Sequence, residues 1–341
     1  VITEGGGVGR AAAPAGASKG KYEAVELRDG GKEYHGKAVS KAVNNVNKLI
    51  APALRGLNSR FYRYVDRRLI ELDGTPNKSR LGANAMIAVS LANVKAAADT
   101  ADEPLFQFLG GAKARLLPIP LMNIINGGAH AGNELSFQEF MIVPVGADKF
   151  SEALRIGVEV YKELKKYLKE KYGPSSINVG DEGGYAPPMK FINEALSALV
   201  NSIKKAGYVE GNDVFLALDV AASQIFDEKS NIYKIDDKVF SSEELIEFYK
   251  NLINEYPIII IEDPFHEEDF NSFKELRSSV KGKTLLIGDD LLVTNAERVK
   301  KALSLNAIDG AIIKVNQIGT LSEAEDCIRT LREYNGKAII S

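Results

Sequence analysis

The sequence predicts an α/β fold: a β/α barrel over 113–341, preceded by a smaller α+β unit over 1–112. Three observations carry that expectation. Apolar runs in the second half alternate with amphipathic stretches, as parallel strands alternate with crossover helices. Four of those runs end at a charged residue: Asp219 closes FLALD, Glu262 closes IIIIE, Asp289 sits in LLIGDD and Lys314 follows AII. No nucleotide fingerprint is present to favour a doubly wound sheet: GGGVGR (5–10) is not G-x-G-x-x-G, and GASKGKY (16–22) is not a phosphate loop.

The elements follow in order. A hairpin-like start leads into the loop AAAPAGASKGKYEA, and helical stretches are expected at 38–50, 60–71 and 81–98. GGAKARLLPIP marks the boundary between the units. PIPLMNIINGG (118–128) and FQEFMIVP (137–144) read as strands. The loop between them is too short for a helical crossover, so they should pair antiparallel. Helices are expected from Phe150 to about Tyr172 and from Phe191 to about Ala206, with the Gly- and Pro-rich INVGDEGGYAPP (177–188) between them. After Asp219 a polar turn should lead into SSEELIEFYKNLINEY, where Leu245, Phe248, Tyr249, Leu252 and Ile253 recur at helical spacing. Ser241 with Glu244, Thr294 with Glu297 and Thr320 with Glu323 each have the spacing of a capping box.

Composition narrows the function. A net charge of −3 and a pI near 5.9 make no electrostatic case for nucleic acid or an anionic membrane. No apolar stretch approaches the roughly 20 residues that span a bilayer. The first ten residues, with Glu4, Arg10 and a glycine run, do not read as a secretion leader. The lone Cys327 cannot form an intrachain disulfide, so a cytoplasmic setting is expected.

An acid at a strand end is ordinarily a helix cap or a solvated side chain. The series weakens that explanation, because the four charged positions are separated by 43, 27 and 25 residues, about one βα unit each. Strand ends on one rim of a barrel are where chemistry is assembled. Oxygen ligands alone suit Mg²⁺, and three histidines with one cysteine make a zinc site improbable. Lys314 reads either as a structural ion pair or as a base; a nearby metal would lower its pKa and nearby carboxylates would raise it. Glu182 in GDEGG is ordinarily a surface turn. Of Gln138 and Glu139 at least one must point inward by alternation. His130 in GGAHAGN is ordinarily a satisfied loop residue, although the flanking glycines permit close approach of a ligand.

At these residues the chain resembles the enolase (phosphopyruvate hydratase) family. The resemblance rests on GRAAAPAGASKGKYEAVELRDGG, INGGAHAGNELSFQEFMI, GDEGGYAPP, LALDVAAS, IEDPF, GDDLLVTN and KVNQIGTLSEA, in family order across essentially the whole chain. It implies a barrel that begins ββαα under a small N-terminal α+β domain, and Mg²⁺-dependent interconversion of 2-phospho-D-glycerate and phosphoenolpyruvate in glycolysis and gluconeogenesis. It further implies that Asp219, Glu262 and Asp289 hold the first Mg²⁺, and that Lys314 removes the C2 proton. Glu182 would assist loss of the C3 hydroxyl, with Glu139 and Gln138 beside it. Ser18 would belong to a closing loop and help hold a second Mg²⁺, recruited with substrate. His130 would belong to another such loop. Glu262, Asp289, Glu139, Gln138, Ser18 and His130 would all line the substrate. A homodimer or larger homo-oligomer is implied as well.

The sequence departs from the family pattern in places. Ala15 and Lys19 stand where serine and threonine are common, and Ala129 precedes the loop histidine where serine is frequent. The family's Ser-Arg-Gly-Asn-Pro-Thr opening is absent. Ser341 falls on the seventh barrel strand, before the Arg-Ser pair that grips phosphate and before the eighth strand with its second lysine. The expectation is therefore a fragment of a longer enzyme, with little or no activity if the chain ends there. Two other readings stand beside it. One is a superfamily racemase or cycloisomerase, which typically carries Lys-x-Lys where this chain has Gln138-Glu139. The other is a non-catalytic binding protein on the same scaffold.

Overall fold

The computed structural model describes residues 1–16 and 19–341. It divides into two compact units, the first comprising Val1–Leu116, Leu292–Lys300 and Ala311–Ser341, the second Leu117–Leu291 and Lys301–Gly310.

The second unit opens with β1 (Met122–Asn126) and β2 (Glu139–Val143), antiparallel as expected, with Met122 opposite Ile142 and Asn126 opposite Glu139. Two helices follow, Phe150–Tyr172 and Ile192–Lys205. The chain then enters β3 (Phe215–Asp219), which pairs antiparallel with β2 and sets Glu139 opposite Asp219. This is the ββαα opening. The long helix is one-sided: Ala153, Ile156, Val160, Leu164 and Leu168 are buried at three- and four-residue steps.

The polar turn expected after Asp219 is a small antiparallel sheet instead. It consists of β4 (Phe226–Asp227), β5 (Ile232–Ile235) and β6 (Lys238–Phe240). Strands of two to four residues carry too little alternation to announce themselves; pairing with neighbours makes them strands. The helix Ser242–Glu255 then starts on the predicted capping box, Ser241 Oγ accepting the Glu244 amide and the Glu244 carboxylate accepting the Ser241 amide. It leads to β7 (Ile258–Glu262), the helix Phe270–Val280 and β8 (Leu285–Gly288). β3, β7 and β8 are successive parallel neighbours, with Asp219 beside Glu262 and Glu262 beside Ile287. Buried rings fill the space behind them. Phe265 meets Tyr249 at 5.8 Å and Phe273 at 5.7 Å, both edge-on, and the Tyr249 hydroxyl donates to the Pro264 carbonyl at 2.7 Å. Each such ring contributes roughly 1.5–3 kcal/mol by burial, and together they fix the turn that follows Glu262.

In the first unit the predicted helices run Ser40–Asn45 and onward to Leu54, then Tyr62–Asp73 and Ala83–Thr100. Ala83–Thr100 is buried on nearly every side, and its alanines let backbone approach closely. Gly9 exploits this: a Cβ there would lie 1.9 Å from the Ala92 carbonyl oxygen. The hairpin-like start is reduced to one bridge, Ile2 with Val8. β9 (Gly310–Ile313) and β10 (Lys337–Ile340) are hydrogen-bonded neighbours. Between them the helix Leu321–Glu333 starts at Thr320, which accepts the Glu323 amide as predicted. The predicted cap at Thr294 is not formed. Asn295 Oδ1 accepts the Glu297 and Arg298 amides instead, and asparagine is the stronger cap of the two.

Candidate active site

Three carboxylates stand at the ends of neighbouring parallel strands in the second unit. Asp219 and Glu262 are the last residues of β3 and β7, and Asp289 follows β8. All three are buried, unlike the solvated side chain that a lone acid at a strand end ordinarily is. Asp219 is held on both oxygens: Oδ2 accepts from Gln138 Nε2 at 2.8 Å, and Oδ1 accepts the Ala221 amide at 2.9 Å. Gln138 Oε1 in turn accepts from Gln224 Nε2 at 2.9 Å. Gln138 is thus the inward member of the pair, with Glu139 half-buried beside it.

A fourth acid, Asp263, organises this rim, and sequence reasoning did not assign it a role. Its amide donates to Ile287, and its carboxylate accepts the amides of Asp289 at 3.0 Å and Asp290 at 2.6 Å. It thereby straps the end of β7 to the end of β8, from a left-handed backbone at φ 40° that is costly for a residue with a Cβ. Burial pushes its carboxyl well above the usual range, and the charges of Asp290, Asp289 and Asp219 push in the same direction. Asp263 thus stands among three further acids, Asp219, Asp289 and Asp290. The available signal was two consecutive acids before a proline in IEDPF.

Glu182 sits in the second unit too, but in a different setting. It is exposed, and its Oε2 accepts from Asn123 Nδ2 at 3.2 Å and Asn126 Nδ2 at 3.3 Å, both on β1. Its loop is pinned to β1 by Asn126 donating to Tyr185 and Tyr185 donating to Ile124. Tyr161 stacks on Tyr185 at 4.2 Å and donates to the Gly183 carbonyl. Gly184 cannot be replaced cheaply, since a Cβ would lie 2.7 Å from Asn126 Oδ1 and 3.1 Å from Asn123 Oδ1. The asparagines are a second feature missed from sequence.

Lys314 belongs to the first unit. It lies one residue past β9 rather than within a strand, half-buried, and its amide donates to Thr294 Oγ1 at 2.8 Å. Lys19, where threonine is common, pairs with Glu26 at 3.0 Å. Ser18 lies outside the described residues, and so does the side chain of His130.

The donor set suits a hard divalent cation: carboxylate oxygens only, at the ends of adjacent strands. As they stand, no three His, Cys, Asp or Glu side chains among the described residues converge into a ready-made cage. Among the described residues no helix is long and apolar enough to cross a membrane.

Comparison with known proteins draws the same outline. The family model "Enolase, C-terminal TIM barrel domain" matches residues 114–341, and "Enolase, N-terminal domain" matches 1–109. The chain is 55% identical to the enolase of Pyrococcus furiosus, over 98% of this chain and 78% of that protein. It is 53% identical to the enolase of Methanocaldococcus jannaschii (100% and 79%) and 52% identical to that of Aeropyrum pernix (99% and 78%). With both halves matched in order and most of each relative covered, the chain belongs to the enolase family of lyases.

Proposed function

We propose that the protein catalyses the reversible dehydration of 2-phospho-D-glycerate to phosphoenolpyruvate, the enolase step of glycolysis and gluconeogenesis. The observation that most supports this is the row of buried carboxylates, Asp219, Glu262 and Asp289, ending three neighbouring strands. The reaction needs such a row. Its C2 proton is adjacent to an ionised carboxylate, so removing it builds a second negative charge on the same group. Asp219, Glu262 and Asp289 would hold one Mg²⁺, and Ser18 would help hold a second that arrives with substrate. Bound there, the ions supply positive charge that stabilises the developing dianion.

The protein's own residues do the rest. Lys314, unprotonated, takes the C2 proton. The electron pair left on C2 becomes the C2–C3 double bond as the C3–O bond breaks. Glu182 gives its proton to the departing hydroxyl, which leaves as water. The hydrogen bonds from Asn123 and Asn126 hold that carboxyl in place while it changes charge. Gln138, fixed between Asp219 and Gln224, sets the wall against which substrate is oriented, with Glu139, His130, Glu262 and Asp289 also facing substrate. The enzyme would work as a homodimer or larger homo-oligomer in the cytoplasm, where the buried thiol of Cys327 stays reduced.

The test separates the two proton transfers. The protein is supplied with 2-phosphoglycerate and Mg²⁺ in deuterated water, and phosphoenolpyruvate formation and C2 exchange are followed together. Lys314→Ala should lose both. Glu182→Gln should slow elimination while leaving exchange measurable. Absence of turnover in the unsubstituted protein sinks the proposal, and wild-type exchange in Lys314→Ala removes that lysine from its role.

A further inference from the structure

Thr294 takes no part in the proposed chemistry, yet its position is unusual. It is fully buried, and both it and Val293 adopt left-handed backbone, at φ 55° and 46°. Two consecutive β-branched residues in that region are genuine outliers, kept only where surrounding structure over-determines them. The surrounding structure is a directed chain of hydrogen bonds within the first unit. The Lys314 amide donates to Thr294 Oγ1 at 2.8 Å, and that hydroxyl donates to Gln317 Oε1 at 2.9 Å. Gln317 Nε2 then donates to Glu23 Oε1 at 3.3 Å, and the same carboxylate oxygen accepts the Gly20 amide at 3.0 Å.

The direction of the chain is set by chemistry. An ionised carboxylate only accepts, so Gln317 must present its amide nitrogen to Glu23 and its oxygen to Thr294. The threonine hydroxyl can accept from one neighbour and donate to another, which is what a link between Lys314 and Gln317 requires. Gln317 is itself buried, and its backbone is held from both sides. Its amide donates to the Lys314 carbonyl at 3.0 Å, and its carbonyl accepts from Ala24 at 2.7 Å. Lys314 lies one residue beyond β9, and this relay holds its backbone there.

We infer that Thr294 and Gln317 are positioning residues for Lys314, and that their hydrogen-bonded relay ties the lysine's backbone to the segment Gly20–Glu23. The inference rests on the reading of Lys314 as the base. Thr294 sits in the loop that begins at Asp289, so one short stretch of chain carries both a candidate metal ligand and the lysine's anchor.

The test uses Thr294→Val, which keeps the β-branched shape and deletes only the hydroxyl, Thr294→Ser, which restores it, and Gln317→Leu, which cuts the tie to Glu23. Thr294→Val should lower kcat and C2 exchange together by about tenfold or more, the scale of a base displaced by a fraction of an ångström. KM should stay within about twofold, because substrate binding is not what the relay serves. Thr294→Ser should recover most of the rate. Without substrate, amide hydrogen exchange should quicken at 314–319 in Thr294→Val and at 20–24 in Gln317→Leu. The unsubstituted protein's turnover is the control on the reading of Lys314, whereas the amide-exchange arm reports on the tie regardless of substrate. The inference is overturned if Thr294→Val matches the unsubstituted protein in kcat and amide exchange. It is equally overturned if Thr294→Ser is as slow as Thr294→Val, since the hydroxyl would then be irrelevant.

Discussion

Asp219 and Glu182 are both carboxylates of the second unit, and they are held in opposite ways. Asp219 is the last residue of an interior strand. Register with β2 and β7 fixes its backbone, and both side-chain oxygens accept hydrogen bonds. Glu182 is an exposed residue between glycines, positioned by two asparagine side chains that reach it from β1. The first arrangement suits a ligand whose charge must stay constant and whose place must not vary. The second suits a group that gains and loses a proton and needs solvent contact to recover it. On the proposed reading, the fixed charge of the metal ligands is built into strand ends, and the acid that protonates the leaving hydroxyl is carried by a loop.

Asp219→Asn should break that comparison at its rigid end with the largest effect. Asparagine keeps the shape, and its oxygen can still accept from Ala221. Its amide nitrogen would then face the Gln138 amide nitrogen, donor against donor, and Gln138 cannot turn without losing Gln224. We expect kcat/KM with 2-phosphoglycerate to fall by more than about 100-fold, roughly 3 kcal/mol of transition-state stabilisation. The melting temperature should fall only modestly, because removing one of the charges that repel Asp263 offsets part of the cost of the donor clash. A large loss of stability alongside activity would mean that Asp219 is chiefly structural.

At the loop end, Asn123→Ala removes one of the two hydrogen bonds to Glu182 while leaving the more deeply buried Asn126. A hydrogen bond to a charged group is worth about 1.5–3 kcal/mol, but Asn126 remains to hold Glu182. A three- to tenfold drop in kcat is therefore expected, with C2 exchange by Lys314 little changed. If elimination and exchange fell together, the asparagine would be acting on the substrate or the fold rather than on Glu182.

The same contrast explains what could be read in advance. Asp219, Glu262 and Asp289 were legible because a strand end is a local event: an apolar run of the right length, then a charge. The helix Phe150–Tyr172 and the Ser241–Glu244 cap were legible for the same reason, since their periods and spacings lie within a few residues. Asn123, Asn126 and Thr294 act on residues 56 or more positions away, or 20 in the case of Thr294 and Lys314, and no local pattern marks such a pairing. Thr294 was misread for a related reason. Its spacing to Glu297 fits a capping box, but a left-handed backbone points its hydroxyl at Lys314 and leaves the cap to Asn295. Asp263 was hidden differently, because its neighbour Glu262 already accounted for the acid at that strand end.

Whether burial alone makes a carboxylate functional can be tested at Asp66, which belongs to the first unit and takes no part in the proposed chemistry. Asp66 is as buried as Asp219, and its Oδ2 accepts both the amide of Ser322, at 2.9 Å, and its hydroxyl, at 2.6 Å. It thus fastens the helix Tyr62–Asp73 to the start of the helix Leu321–Glu333. Burial raises its carboxyl above the ordinary aspartate value, against the hydrogen bonds from Ser322 and Ser90 and the charge of Arg63. Between the unfolded and the raised folded value, the unfolded chain binds fewer protons than the folded one. Stability should therefore fall as pH climbs through that window. Asp66→Asn retains an accepting oxygen for Ser322 and removes the titration, so its stability should be flatter with pH there and no lower at neutral pH. Turnover should stay within about twofold of the unsubstituted protein. The measurement is a series of thermal or urea unfolding curves across mildly acidic to neutral pH, with activity assayed on the same samples. A drop in turnover comparable to that of Asp219→Asn would show that buried acids in this fold serve catalysis wherever they lie. The distinction between strand-end ligand and structural clasp would then fail.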